Sequence, residues 1–238
     1  MEDEGVPTTQ ISLIRLHTEK TTPPRALWVP FELGRPLGVP NDKEFQSRVL
    51  LTTLQLLESA NGPIITDYTE EAAAANGDLT TLACPVNLNI PQEELNDTDK
   101  LINAFKEEIT GLRPWYDIAL EKRDRTTVGA SHMGPAEIGN FVSSLISGET
   151  PENPREEVAM GFSINLAIDD LRAYYSEAIT AQPGQESPSS EMINKWFWTE
   201  TAASAAIYAL RDTCRNSGDG FLKIVGNALL IPVEYAKR

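Results

Sequence analysis

Cysteine and histidine are both scarce in this sequence, with two of each in 238 residues. Cys84 and Cys214 are far apart and form no Cys-x-x-Cys or Cys/His cluster, so neither a disulfide framework nor a zinc site is indicated. We expect no metal site. We predict a buried structural thiol at Cys84, with a redox-active thiol as the alternative, and a core position for Cys214.

Long apolar runs and the common catalytic signatures are also lacking. No window of about 18 uncharged apolar residues is present, so no transmembrane helix is predicted. The acidic start, Met1-Glu2-Asp3-Glu4, is unlike a secretory signal, and we expect a cytoplasmic protein. P-loop, GxGxxG, HExxH and GxSxG patterns do not occur. The common nucleotide-binding, zinc-protease and serine-hydrolase signatures are therefore absent, and the cofactor is left unknown.

Positive charge is in short supply: 20 Lys and Arg face 35 Asp and Glu, for a formal net charge of -15. Such a chain lacks the basic surface that nucleic-acid binding usually requires, and anionic membrane surfaces would repel it. We therefore expect neither nucleic acid nor membrane as a partner. The acidic excess is concentrated in residues 61–110, which hold 10 acidic and 2 basic residues and are interpreted as a solvated connection.

The N-terminal quarter alternates between strand and helix patterns. Strands are predicted over 6–14, 26–31 and 63–68, and a helix over 42–59 has Phe45, Val49, Leu50, Leu54 and Leu57 at helical spacing. Between them, 31–42 holds two glycines and two prolines and is predicted as a loop. Strand, helix and strand in this order indicate a parallel sheet.

Helical patterns dominate the rest of the chain after a predicted connection over 69–96. Five helical segments are predicted, and they begin near residues 98, 135, 156, 190 and 221. The first of them is predicted to kink or restart at Pro114. The run from Ser190 to Cys214 is predicted as one helix, with Trp196-Phe197-Trp198 in the core. The sequence thus predicts an α/β protein with a small parallel sheet in residues 1–95 and a mostly helical region, 96–238, packed on it.

Two short segments contain the candidate functional residues. His17, Glu19 and Lys20 follow the first predicted strand, where α/β sheets place ligands, and they could transfer protons or bind an anion. In the loop 32–38, Arg35 stands between Gly34 and a proline, with Gly38 and Glu32 nearby. One interpretation is a carboxylate or phosphate clamp. The other is a loop braced by an ion pair of Arg35 with Glu32 or Glu19.

Residues 5–11 (GVPTTQI), 17–20 (HTEK), 23–26 (PPRA) and 30–38 (PFELGRPLG) together resemble the glycine/sarcosine/betaine reductase selenoprotein B family. In that family a G-[IV]-P-T-x-Q-I strand leads to a Pro/Gly-rich loop and then to an Arg-containing helix, here with Arg48. The resemblance covers about residues 4–68. It corresponds to the C-terminal part of the family.

The resemblance implies a thiol or selenol redox enzyme that cleaves a bond next to a substrate carboxylate and works with partner proteins. Arg35, with Lys20, Glu32, Gly34 and Gly38, would bind a small anionic substrate. His17 and Glu19 would move protons.

Members of this family carry a Cys-x-x-Cys/Sec-like segment before the strand at which this sequence begins. We therefore expect a subunit or truncated relative of such a reductase, with a cysteine-bearing partner subunit. A non-catalytic binding or assembly protein is the alternative, and a different chemistry based on His17, Glu19 and Arg35 is a third.

Overall fold

The computed structural model describes residues 2–31, 33–39, 42–59, 62–70, 97–183 and 188–236. The chain forms two compact units, Met1–Ala74 and Ala75–Arg238. The predicted boundary after residue 95, and nearly all of the predicted connection over 69–96, lie outside the described residues.

The first unit is built around a small parallel sheet, which confirms the predicted fold class. Its strands lie in the order β1-β2-β3, and Ala26 of β2 is opposite Gln10 of β1 and Ile65 of β3. Because parallel neighbours need a crossover, a helix joins each pair of consecutive strands. The elements are β1 Gln10–Ser12, α1 Arg15–Thr21, β2 Arg25–Trp28, α2 Lys43–Gln55 and β3 Ile64–Asp67, and α2 is extended by a 3-10 turn, Leu56–Glu58.

Helix α2 begins where the sequence provides a cap, since the side chain of Asp42 accepts a hydrogen bond from the backbone N–H of Phe45 at 3.0 Å. Its buried residues, Phe45, Val49 and Thr53, recur every four positions and face the sheet core. The predicted apolar face was too wide. Leu50 and Leu54 are 45% and 55% exposed.

Helix α1 was not predicted. The segment around His17, expected to be a loop, is helical. An i,i+4 ion pair between Arg15 and Glu19 supports this single short helix, and the Thr18 hydroxyl donates to the carbonyl of Ile14 at 3.0 Å. No apolar periodicity marks the segment, so its pattern gave no helical signal.

The second unit is helical, as predicted. Its helices pack around one apolar core in which Tyr174, Tyr175, Trp198 and Leu171 are fully buried. None of the helices in the described residues is long and apolar enough to cross a membrane. The elements are α3 Thr98–Arg123, α4 Pro135–Ile146, α5 Met160–Ile179, α6 Ser190–Glu200, α7 Ala202–Asn216 and α8 Gly220–Ile224, with a π-helical turn Val225–Leu229 after α8.

A kink or a restart of the helix was predicted at Pro114, and the restart is not found. Helix α3 continues through Pro114, which lies on the exposed face of the helix, while Leu112 and Tyr116 on either side are buried. One predicted helix in this unit is wrong. The predicted helix from Ser190 to Cys214 is instead divided at Thr201. This residue has an extended backbone and caps α7, its side chain accepting from the N–H of Ser204 at 3.1 Å.

The predicted interior of the helical unit is confirmed. Trp196, Phe197 and Trp198 are 4% exposed or less, and Cys214 is 2% exposed. Helix α4 begins with Pro135 at its first position, where the missing N–H has no intrahelical partner to lose.

Candidate functional site

Three chain segments meet at the carboxyl-terminal edge of the parallel sheet. The strands end at Ser12, Trp28 and Asp67, and the next residues of each segment form α1, the loop 29–39 and the stretch 67–70. Ligands of open parallel sheets bind at this edge, because the loops there converge and the backbone amides are not used by the ladder. We call residues 67–70, with the side chains that contact them, the strand-end site.

Arg15 connects two strands of this edge. It is the first residue of α1, just after β1, and its Nε donates to Oδ1 of Asp67, at the end of β3, at 3.1 Å. Its guanidinium also pairs with Glu19. The hydrogen bond to Asp67 raises the pKa of Arg15, so the guanidinium is fully charged. Since β2 separates β1 from β3 in the sheet, the side chain reaches past the end of the central strand.

Arg48 approaches the same stretch from the other crossover helix. Its Nε donates to Oε2 of Glu70 at 3.0 Å, and its guanidinium lies 5.4 Å from the ring centre of Phe45. The side chains of Arg48 and Glu70 are 50% and 47% exposed, and those of Arg15 and Asp67 are 44% and 48% exposed. Ion pairs this exposed are worth about 0–1 kcal/mol, so an incoming anion can replace them at low cost.

Tyr68 lies between the two acidic residues that hold the arginines. Its ring packs edge-on against Phe31 and Phe45, with centroids 5.9 and 6.1 Å away, and the residue is 7% exposed. Its hydroxyl is buried beside the side chains of Glu70 and Arg48, which both interact with it although neither meets strict hydrogen-bond geometry. Burial, followed by the charge of Glu70, raises the pKa of Tyr68.

The predicted residues of α1 are exposed and only partly brought together. Glu19 lies on the same face as Arg15, because residues four apart on a helix are neighbours. His17 is two positions from Glu19, so the two side chains point to different faces. Lys20 is exposed near the end of the helix. The structure therefore joins Glu19 to Arg15, and it does not join Glu19 to His17.

The glycine loop after β2 is a tight turn. The N–H of Gly38 donates to the carbonyl of Arg35 at 2.9 Å. Gly34 and Gly38 have φ of 90° and 83°, values that side chains rarely tolerate. The Arg35 side chain is exposed. Glu32, the proposed partner of Arg35, and Cys84, the candidate thiol, lie outside the described residues.

Most of the strand-end site was not predicted. Arg15, Asp67, Tyr68 and Glu70 had no assigned role, and Arg48 was noted only as part of the family resemblance. One signal was present: residues 67–70, DYTE, span the end of the strand predicted over 63–68, and the ends of parallel strands are where ligands bind.

No thiol or metal chemistry is built into the described part of the chain. Cys214, its one free cysteine, is buried in the helical core, and burial raises its pKa to about 11. The thiolate needed for redox chemistry is therefore scarce at neutral pH. The described residues also hold no group of three or more His, Cys, Asp or Glu side chains that could bind a metal ion.

Comparisons of the chain with protein-family models, with curated proteins and with solved structures found nothing that matches. The resemblance to the selenoprotein B family, over about residues 4–68, thus remains a prediction from the sequence.

Proposed function

We propose that the N-terminal unit binds the carboxylate of a small substrate at the strand-end site, and that the chain is a cytoplasmic subunit or relative of a selenoprotein-B-type reductase. One observation carries the proposal. Arg15 and Arg48, from the two different crossover helices, both contact residues 67–70 at the ligand-binding edge of the sheet.

Guanidinium groups suit this role because their planar donors match the two oxygens of a carboxylate. Each arginine is paired with an exposed carboxylate of the chain, Asp67 or Glu70, which occupies the place that a substrate carboxylate would take. When the substrate carboxylate displaces Asp67 or Glu70, the arginine exchanges one charge-assisted pair for another. Binding therefore leaves no buried charge without a partner.

The residues first singled out in the sequence keep secondary roles in this proposal. Arg35, Gly34 and Gly38 belong to the loop that follows the central strand and would contact the substrate, and Glu32 stays a predicted substrate-binding residue. Lys20 adds positive charge near the end of α1. His17 and Glu19 would transfer protons separately, because they lie on different faces of the helix.

The redox step in this proposal needs a partner protein. When a bond next to the substrate carboxylate is cleaved reductively, its two fragments take up two electrons and two protons. A thiol or selenol pair of the partner supplies them and closes to a disulfide or selenosulfide. Cys214 is unsuited to this step because it is buried with a raised pKa.

A non-catalytic binding module is the second candidate. The same burial of Cys214 favours it, since the described part of the chain then provides binding groups without a redox group of its own. In this alternative the strand-end site recognises an anionic group, and the chain delivers or docks a partner rather than reacting.

The experiment is a calorimetric titration of the full chain with glycine, sarcosine and acetate. Arg15→Ala and Arg48→Ala should each weaken binding about threefold to fivefold, because each variant removes one half-exposed ion pair to the ligand. Arg113→Ala is the matched control, since Arg113 forms an exposed ion pair with Asp117 on α3. Absence of binding, or equal affinity in all three variants, would exclude the site.

The two candidates are separated by the partner. Isolation of the chain from its native cells together with a Cys-x-x-Cys or Cys/Sec protein, and substrate reduction by the mixture, would support the reductase. Carboxylate binding without such a protein and without reduction would support the binding module.

A further inference from the structure

Helix α2 is apolar on its outer side as well as on the side that faces the sheet core. On the outer side Leu50, Leu51 and Leu54 are 45%, 57% and 55% exposed. The outer face of a surface helix is usually polar, because apolar area exposed to water is unfavourable. Several exposed leucines side by side on one helix therefore indicate a surface that another molecule covers.

The exposed leucines lie in the middle of a longer face that has opposite charges at its two ends. Lys43, seven positions before Leu50, is exposed at the start of the helix. Glu58, four positions after Leu54, is exposed in the 3-10 turn that extends the helix. Residues at these spacings share one helix face. The face is therefore basic at one end, apolar in the centre and acidic at the other end, over a length of about 22 Å.

A face with this pattern of charges is complementary to itself. If two copies of α2 pack antiparallel, with a two-fold axis between positions 50 and 51, Lys43 of each copy lies opposite Glu58 of the other. Leu50 and Leu51 then meet at the axis, and the apolar centre is covered from both sides. A parallel arrangement would place lysine against lysine and glutamate against glutamate, which is repulsive.

The charge of the surrounding region also suits a second copy of this chain. Residues 1–60 hold 6 basic and 8 acidic residues, whereas the whole chain has a formal net charge of -15. Two copies therefore repel each other least when they meet through the N-terminal unit. Arg48 is two positions from Leu50 and so lies off this face. Pairing of the face thus uses no arginine of the strand-end site.

We propose that the outer face of α2, from Lys43 to Glu58, is a homodimer interface in which two helices pack antiparallel about a two-fold axis. This inference goes beyond the proposed function and does not depend on it. One helix face of this length buries on the order of 1,000 Å² in total, which is the size of interface found in weak complexes. The dimer is therefore reversible, with a Kd on the order of micromolar or weaker.

Sedimentation of the full chain over a range of concentrations tests the interface. The wild type should pass from monomer to dimer between about 1 and about 500 µM. Leu50→Gln/Leu54→Gln should stay monomeric, and at low concentration its thermal stability should equal that of the wild type, because both side chains are exposed. A wild type that is monomeric throughout, or a double variant that still dimerises, would overturn the proposal.

Leu229→Gln is the matched control for the leucine substitutions. Leu229 is 47% exposed in the helical unit, and the variant should dimerise as the wild type does. Loss of the dimer in this control as well would mean that association is non-specific, which also contradicts the proposed interface.

Charge reversal tests the antiparallel arrangement. Lys43→Glu and Glu58→Lys each place like charges opposite each other at both ends of the interface, so each variant alone should dimerise about tenfold more weakly. In an equal mixture of the two variants, the heterodimer again has opposite charges at both ends, and wild-type affinity should return. No recovery in the mixture would overturn the antiparallel interface.

Discussion

The Glu108 carboxylate accepts a hydrogen bond from the backbone N–H of Ala203 at 3.0 Å, which fixes the start of α7 to the middle of α3. The Tyr175 hydroxyl of α5 donates to the same oxygen at 3.2 Å. Glu108 is 2% exposed. Burial raises its pKa to about 7, although the two hydrogen bonds act in the opposite direction. This carboxyl group therefore titrates where an ordinary glutamate is already ionised.

The Glu108 carboxyl group should make the folded protein less stable as the pH rises. The pKa of Glu108 is about 7 in the folded protein against an ordinary value of 4.5, so folding favours its protonated form. Its stabilising contribution is complete below about pH 4.5 and is lost progressively as the pH rises to about 7, a change of about 3 kcal/mol in the free energy of unfolding. Glu108→Gln, which is neutral throughout, should remove this loss.

Urea unfolding at about pH 5 and about pH 8 measures the effect. Glu107→Gln is the control, because Glu107 is the exposed neighbour on the same helix. An equal loss of stability in the wild type and in Glu108→Gln would contradict the assignment.

Two buried carboxylates, Asp170 and Glu177, hold the loop between α3 and α4, and the stretch at Ala130 and Ser131 should depend on Asp170. Asp170 of α5 accepts from the N–H of Ala130 at 3.1 Å, from the N–H of Ser131 at 2.8 Å and from the Ser131 hydroxyl at 2.6 Å. Asp170→Ala leaves these donors without their acceptor and should lower the free energy of unfolding by about 3 kcal/mol.

The neighbouring residue provides the comparison. Asp169 has a half-exposed side chain paired with Arg172 at 3.8 Å, so Asp169→Ala should cost about 1 kcal/mol or less. Hydrogen exchange adds a local readout, since the amides of Ala130 and Ser131 should lose protection in Asp170→Ala. Equal stability of the two variants would show that the loop is held in another way.

The sequence predicted the elements whose signals are local. The strands of the sheet appear as short apolar runs between turn residues, and α3 has an acidic cap in Asp97, which accepts from the N–H of Asp99 at 3.1 Å. Such signals need only neighbouring residues. The same is true of the loop predicted over 31–42 from its two glycines and two prolines, where Gly34 and Gly38 adopt positive φ values.

Features that depend on distant residues could not be predicted. The break at Thr201 interrupts an unbroken apolar pattern, and the new helix start is held by Glu108, 95 positions away in the chain from Ala203. Arg15 and Asp67 are 52 positions apart. Both residues are visible in the sequence, but their pairing follows from the order of the strands. A contact map, rather than a periodicity, would be needed to find it.

Gly226 should tolerate no side chain. It lies in the π-helical turn after α8, and a Cβ atom there would stand 2.9 Å from both the carbonyl oxygen of Arg211 and the Cβ of Cys214. The backbone of α7 cannot move aside without disturbing the core. Gly226→Ala should therefore lower the free energy of unfolding by about 1–3 kcal/mol.

Gly218 is the matched control for this substitution, because a Cβ added there meets no atom within 4 Å. Thermal or urea unfolding of Gly226→Ala and Gly218→Ala measures the difference. If both variants were as stable as the wild type, the close approach of Gly226 to α7 would not contribute to stability.

The internal carboxylate of Glu70 should compete with the ligand. Glu70 pairs with Arg48 at 3.0 Å, so a substrate carboxylate must displace it before contacting that arginine. Glu70→Gln removes the competing charge while keeping the size of the side chain. We expect acetate and glycine to bind about threefold more tightly to the variant, because an exposed ion pair contributes up to about 1 kcal/mol. Stability should change little.

Glu157→Gln serves as its control, since Glu157 pairs with Arg155 at 2.6 Å in the helical unit. That variant should bind acetate as the wild type does. Weaker binding in Glu70→Gln would instead mean that Glu70 helps to hold the ligand, as a carboxylate does when it faces an amino group. Comparing the two probes then decides between these roles, because glycine has an ammonium group and acetate does not.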